Sequence, residues 1–160
     1  MIYYCYSDRP LPFSSEKVRC RPAGALEQET VLFPPPGREF YPTLPQNLLL
    51  SFCKSAPKRP ALLIQSADYR HGADAPALLC EQEAFALAQK HHARLYYEEV
   101  SASSYFCYRE QEVQHLVWIE DGFHLSQKLR YLQQNGVTEL ALAVQDINWQ
   151  TLSLLVSRLP

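Results

Sequence analysis

The 160 residues are 47% hydrophobic and 20% charged, with a formal net charge of -2, values that suit one soluble domain able to bury a core. There is no basic field of the kind that nucleic-acid binding needs, no like-charge block for a membrane surface, and no apolar run near the ~20 residues of a membrane span. The start, MIYYCYSDRP, has no basic cluster and no long apolar core, so it does not read as a signal peptide.

In chain order, MIYYCYS is strand-like by its apolar and aromatic run. Residues 8–44 hold RPLP, RPAG and FPPPGREFYPTLP, and prolines in that density predict a long extended loop. A short helix is expected over 45–56, where Leu48, Leu49, Phe52 and Cys53 form a stripe behind Pro45. PALLIQSA reads as a buried strand. The stretch 75–92 reads as a helix with Cys80, Ala84, Leu87 and His91 on one face and Glu81 and Glu83 in its early turns. ARLYYEE, SYFCYR and QHLVWIE then predict an antiparallel meander. Residues 123–136 form a helix lined by Leu125, Leu129 and Leu132, with Asp121 before it as a cap and Gly136 as its stop. ELALAV is a further strand and 147–159 a last helix carrying Trp149, Leu152 and Val156. The order predicts a single α/β domain over 1–160: three parallel strand-then-helix units carrying an inserted α+β meander at 76–135.

The chemistry-bearing residues read mostly as structure. Glu120 and Asp121 are adjacent, and neighbours on a strand face opposite ways, so they do not converge on one bond. Glu98 and Glu99 read the same way. His91, His92, His115 and His124 lack metal-ligand spacing, so no metal and no cofactor is expected. A nucleophile pair of Cys5 and His71 would need a lowered thiol pKa, for which the sequence offers nothing. The five cysteines, Cys5, Cys20, Cys53, Cys80 and Cys107, form no CxxC pair, which disfavours a disulfide framework and predicts reduced thiols in a cytoplasmic setting.

The stretch 84–142, AFALAQKHHARLYYEEVSASSYFCYREQEVQHLVWIEDGFHLSQKLRYLQQNGVTEL and the two residues after it, resembles the C-terminal part of glycoside hydrolase family 18, in its spore and cell-wall branch. Tyr97, Glu98, Glu99, Ser103, Phe106, Tyr108, His115, Val117, Trp118, Glu120, Asp121, Lys128, Leu129 and Gly136 fall in matching or chemically similar places. The flanks are similar more loosely. IYYCYS resembles the family's sixth barrel strand, ALLIQSADYRH the seventh and VTELALAVQDINW the eighth, which implies a partial TIM barrel. The resemblance also implies losses. The family's acid lies in a DxxDxDxE motif that does not occur here, the aspartate of the sixth strand falls at Cys5, the pair after the seventh at Arg70 and His71, and the stacking tryptophan of the eighth at Ala143. No catalytic residue is therefore assigned, Asp68 and Asp146 being the nearest carboxylates to the strand ends.

The resemblance implies a truncated, inactive relative serving as a scaffold or interaction protein, with spore association. Two alternatives stay open: a remnant that binds N-acetylglucosamine polymers through Tyr4, Tyr6 and Tyr69, and a hydrolase half needing a partner chain. An incomplete barrel would leave open strand edges, so a homo-oligomer or a partner chain covering them is expected.

Overall fold

A computed structural model describes residues 1–6, 16–33, 46–63 and 66–143. The first half contains β1 (Ile2–Tyr6), β2 (Val18–Arg21), a 3-10 turn (Ala23–Ala25), α1 (Leu26–Glu29), β3 (Thr30–Phe33), α2 (Gln46–Ser55) and β4 (Arg59–Leu63). The second contains β5 (Ser66–Arg70), β6 (Ala77–Leu79), α3 (Glu81–Lys90), β7 (Tyr96–Glu98), β8 (Ser103–Glu110), β9 (Val113–Ile119), α4 (Gly122–Gln134) and β10 (Glu139–Ala143). The strands form two five-stranded sheets, one in the order β2-β1-β10-β4-β3 and parallel throughout, the other in the order β6-β5-β9-β8-β7 and antiparallel. The expected α/β scaffold with an antiparallel insertion is present, and its parallel sheet has five strands rather than three.

Three expectations about single elements are corrected, besides the strand count above and the strand order below. Residues 16–33 are not loop: β2, α1 and β3 lie there, because the prolines sit outside the strands, with Pro22 between β2 and the 3-10 turn. The rest of the expected loop and the helix at 147–159 fall outside the described residues. Residues 77–79 are a strand, not a helix start. Pairing of Leu79 with Ser66 holds them extended, and α3 begins at Glu81 with Cys80 as its cap, whose thiol accepts from the Glu83 N–H while the Glu83 carboxylate accepts from the Cys80 N–H at 2.8 Å. The strand expected over 60–67 is two strands, and the second, β5, crosses to the antiparallel sheet.

Strand order carries the main correction. Sixth, seventh and eighth barrel strands would place β4 between β1 and β10. Instead β10 lies between them, with Tyr4 opposite Ala141 and Ala141 opposite Ala61. Parallel strands consecutive in the chain are neighbours at β1–β2, β3–β4 and β4–β10, and the last pairs with the first. Among the described strands, that is the neighbour order of part of a parallel barrel, with β2 and β3 at its two open ends. The pairing therefore does not bear out the reading of β1, β4 and β10 as three successive strands in that order. The likeness of IYYCYS to a sixth strand is local, whereas a strand's place is set by its pairing partners.

One face of the parallel sheet presents Tyr3, Cys5, Leu62, Leu140 and Leu142 to Leu49 of α2 and to Leu125, Leu129 and Leu132 of α4. Each such leucine contributes roughly 1.5–3 kcal/mol by leaving water. The opposite, inner face carries Tyr4, Tyr6, Ala61 and Ala141, packed by Ala25 and Leu26. In the antiparallel unit α3 lays Ala84 and Ala88 on Phe106, Val117 and Ile119. α4 is closed at both ends as its sequence predicts. Asp121 accepts from the His124 N–H at 2.8 Å, and Gly136 at φ 87° lets the Val137 N–H reach the Leu132 carbonyl at 3.0 Å and its own N–H reach Gln133 at 3.1 Å.

Leu129→Ala should cost about 2–5 kcal/mol, read as a lowered urea midpoint, because its site is shared by two layers. β8 and β9 meet through a two-residue turn, Gln111 at φ 49° and Glu112 at φ 65°, a geometry that favours Asn-Gly. The pair Gln111→Asn and Glu112→Gly should raise stability by about 1 kcal/mol in the same melt.

Candidate functional site

In a barrel of parallel strands the chemistry gathers at the C-terminal strand ends and the interior is a packed core; Arg59 and Glu139, the first residues of β4 and β10, start from the opposite end. Here the inner face is organised by Arg59, which enters from β4. Its guanidinium lies 3.5 Å from the centre of the Tyr4 ring, donates to the Tyr6 hydroxyl at 2.8 Å and stands 3.3 Å from Glu29. The Tyr6 hydroxyl in turn donates to the same Glu29 oxygen at 2.7 Å. Arg21 of β2 approaches that oxygen at 3.8 Å, and Glu139 of β10 lies 3.5 Å from the Arg59 Nε. One guanidinium and one carboxylate therefore connect β1, β2, β4, β10 and α1. The hydrogen bond from Tyr6, with Arg21 and Arg59 adding to it, holds the Glu29 carboxyl below the usual range, while burial and the bond to Glu29 push the Tyr6 hydroxyl up.

Of the expected sugar contacts, Tyr4 is 4% and Tyr6 2% exposed, both covered from the inner side. Tyr69 lies half-buried on the other sheet, so the three are not brought together. Cys5 faces the helix layer, its thiol pushed up to about 12 by burial, and His71 lies beyond β5 of the other sheet; they make no nucleophile pair. Ala143's side chain and Asp146 fall outside the described residues. Arg59, Glu29 and Arg21 were not singled out from the sequence. Their only signal is the in-and-out alternation of short strands, and β2 was hidden among prolines.

The residues shared with family 18 have structural partners. Glu98 accepts from the Val100 and Ser101 N–H groups at 3.1 and 2.7 Å and from the Ser101 hydroxyl, bonds that hold its carboxyl low. Lys128 reaches from α4 to donate to Ser103 at 2.9 Å and to Glu120, and the Glu120 N–H donates to Ser66 at 3.0 Å. Asp121 faces the other way and caps α4. Burial would raise its pKa, but the His124 ring 2.8 Å away and the His124 and Phe123 N–H groups outweigh that and lower it. Asp68 accepts from Tyr108 at 2.9 Å and sits 3.0 Å from the His115 ring nitrogen, with Tyr108 stacked between His115 and His91 at 4.3 and 4.2 Å. Across the sheet's other face Trp118 packs tilted against Tyr105 at 4.9 Å and Tyr105 stacks on Tyr96 at 5.5 Å, with Arg94 5.4 Å from the last ring. Among the described residues no group of histidine, cysteine, aspartate or glutamate is arranged to hold a metal, and no helix is long and apolar enough to cross a membrane.

Removing the lysine of the buried pair strands its partner's charge, so Lys128→Met should cost about 3–5 kcal/mol, and Glu120→Gln added to it should recover part of the loss in denaturant melts. Asp121 and Glu98 have depressed folded pKa values, so their stabilisation is complete above the unfolded values near ~4 and is lost as pH falls through the lower folded ones. Stability should therefore drop between about pH 4 and 2, and Asp121→Asn, which keeps the cap, should reduce the slope of that drop.

No protein-family model and no curated protein sequence matches the chain. Solved structures do. A chitinase from Chromobacterium violaceum superposes with a TM-score of 0.64 at 16% identity, covering 81% of this chain and 44% of that one. The spore cortex-lytic enzyme SleL of Bacillus cereus gives 0.58 at 23% identity, covering 69% and 28%, and that of Bacillus megaterium 0.57 at 16%, covering 95% and 39%. This chain thus spans less than half the length of each of these relatives. The two-sheet arrangement is the α/β fold of the family 18 type, shared over part of its length with chitinases and spore cortex-lytic enzymes.

Proposed function

We propose that this chain is a non-catalytic relative of family 18 glycoside hydrolases that acts as a scaffold or interaction protein. The observation that supports this reading is the state of Glu29. A glycosidic general acid must keep its proton at working pH, which requires a raised pKa. Glu29 is held the other way by Tyr6, Arg21 and Arg59, and Glu139, the next carboxylate on that face, also pairs with Arg59. A partner is part of the proposal. Among the described residues β2 and β3 are sheet edges, and unpaired edges invite another strand. β2 carries Arg19 and Arg21, charges that discourage pairing, whereas β3 reads TVLF, so a second copy or partner chain would lie along β3. Spore association and a cytoplasmic site of assembly belong to the same reading.

The second reading, a binding site for N-acetylglucosamine polymers, is favoured by the fold shared with chitinases. It must work with Tyr69, since Tyr4 and Tyr6 are covered, or with a partner that completes the barrel. Reducing-end assays with N-acetylglucosamine oligomers between about pH 4 and 8 should give no turnover; hydrolysis that disappears in Glu29→Gln would overturn the non-catalytic reading. Calorimetric titration with the same oligomers should give no heat, and binding lost in Tyr69→Ala would establish the glycan reading instead. Sedimentation at rising concentration should show association, and a monomer at every concentration would remove the edge partner.

A further inference from the structure

The parallel ladder places Cys5 of β1 directly opposite Cys20 of β2. In-register partners point to the same face, and here that face is the helix-covered one, since Val18, two residues before Cys20, packs against the core that contains Cys5. Neighbouring strands lie about 4.8 Å apart, inside the Cα separation of about 4.4–6.8 Å that a disulfide spans. A disulfide draws its Cβ atoms to about 3.5–4.5 Å, which asks one strand to give slightly. β2 can do so, being an edge strand that, among the described residues, pairs with β1 alone. The two thiols are also unequal: Cys5 is fully buried and Cys20 exposed.

We propose that Cys5 and Cys20 are a redox-modification site that forms a cross-strand disulfide with a small-molecule disulfide of the glutathione class as oxidant. The exposed Cys20 thiolate attacks one sulfur of the oxidant, forming a mixed disulfide and releasing one glutathione thiolate. The Cys5 thiol gives its proton to solvent and attacks the Cys20 sulfur, forming the Cys5–Cys20 bond and releasing the second glutathione thiolate. Two protein thiols are oxidised and one glutathione disulfide is reduced to two thiols. Burial of Cys5, with Cys20 beside it, pushes its thiol up to about 12 and makes the second step the slow one. The bond fastens β2 to β1 at the edge of the parallel sheet, where among the described strands β1 is its neighbour.

The test incubates the full chain with oxidised glutathione and maps the peptides by mass spectrometry without reduction. The expected result is a cross-link between the peptides carrying Cys5 and Cys20, a loss of two hydrogens in intact mass, and a melting midpoint raised by about 5–10 °C for this short loop. Cys20→Ser, at an exposed position, should fold, form no such link and show no rise in midpoint. Glutathione that stays on Cys20 without a cross-link, a link from Cys5 to Cys53 instead, or no reaction would each overturn the proposal.

Discussion

A parallel sheet must be covered on both faces, because its strands carry apolar side chains above and below. Every larger feature of this molecule follows from how that is met. The outer face takes helices α2 and α4, whose leucines arrive at helical spacing. The inner face of the five described strands is filled by their own side chains and a short insert. Small Ala61 and Ala141 leave room, two tyrosines and the Arg59 side chain fill it, and α1 with the 3-10 turn lies on top. A guanidinium placed there needs a counter-charge, and Glu29 and Glu139 supply it. The carboxylates on this face are thereby committed to holding the strands together.

The second unit solves a different problem, that of joining an antiparallel sheet to a helix from the parallel one. α4 packs its leucines on the parallel sheet while Lys128 reaches Ser103 and Glu120 of the antiparallel one. The segment HLVWIEDGFHLSQKL is where the two jobs meet. Its adjacent carboxylates look like a catalytic pair and point in opposite directions, Glu120 to the buried lysine and Asp121 to the helix N–H groups. A buried polar network of this kind rigidifies the joint between the two units when every member is satisfied.

Local signals made much of this legible in the sequence. α4 showed its stripe, its cap and its stop, and the β8–β9 hairpin showed alternation around a polar turn. Long-range relations were not legible. Arg59 meets partners 53 and 30 residues away in the chain, and nothing local marks such a pairing. Cys5 and Cys20 are scattered by sequence and adjacent by register. β2 and β3 were hidden because prolines nearby outweighed two four-residue runs, and strand order was misjudged because composition says nothing about neighbours.

The order β2-β1-β10-β4-β3 also bears on how the chain is made. The central strand, β10, is the last of the five described strands in the sequence, so before Glu139–Ala143 emerges those strands can pair with one another as β2–β1 and β4–β3. Two-stranded pieces are marginal alone. The antiparallel sheet, drawn wholly from residues 66–119, has its strands available earlier. On a ribosome the inserted unit would assemble first, and the sheet that begins the sequence would be the last part to become stable, held open until its middle arrives.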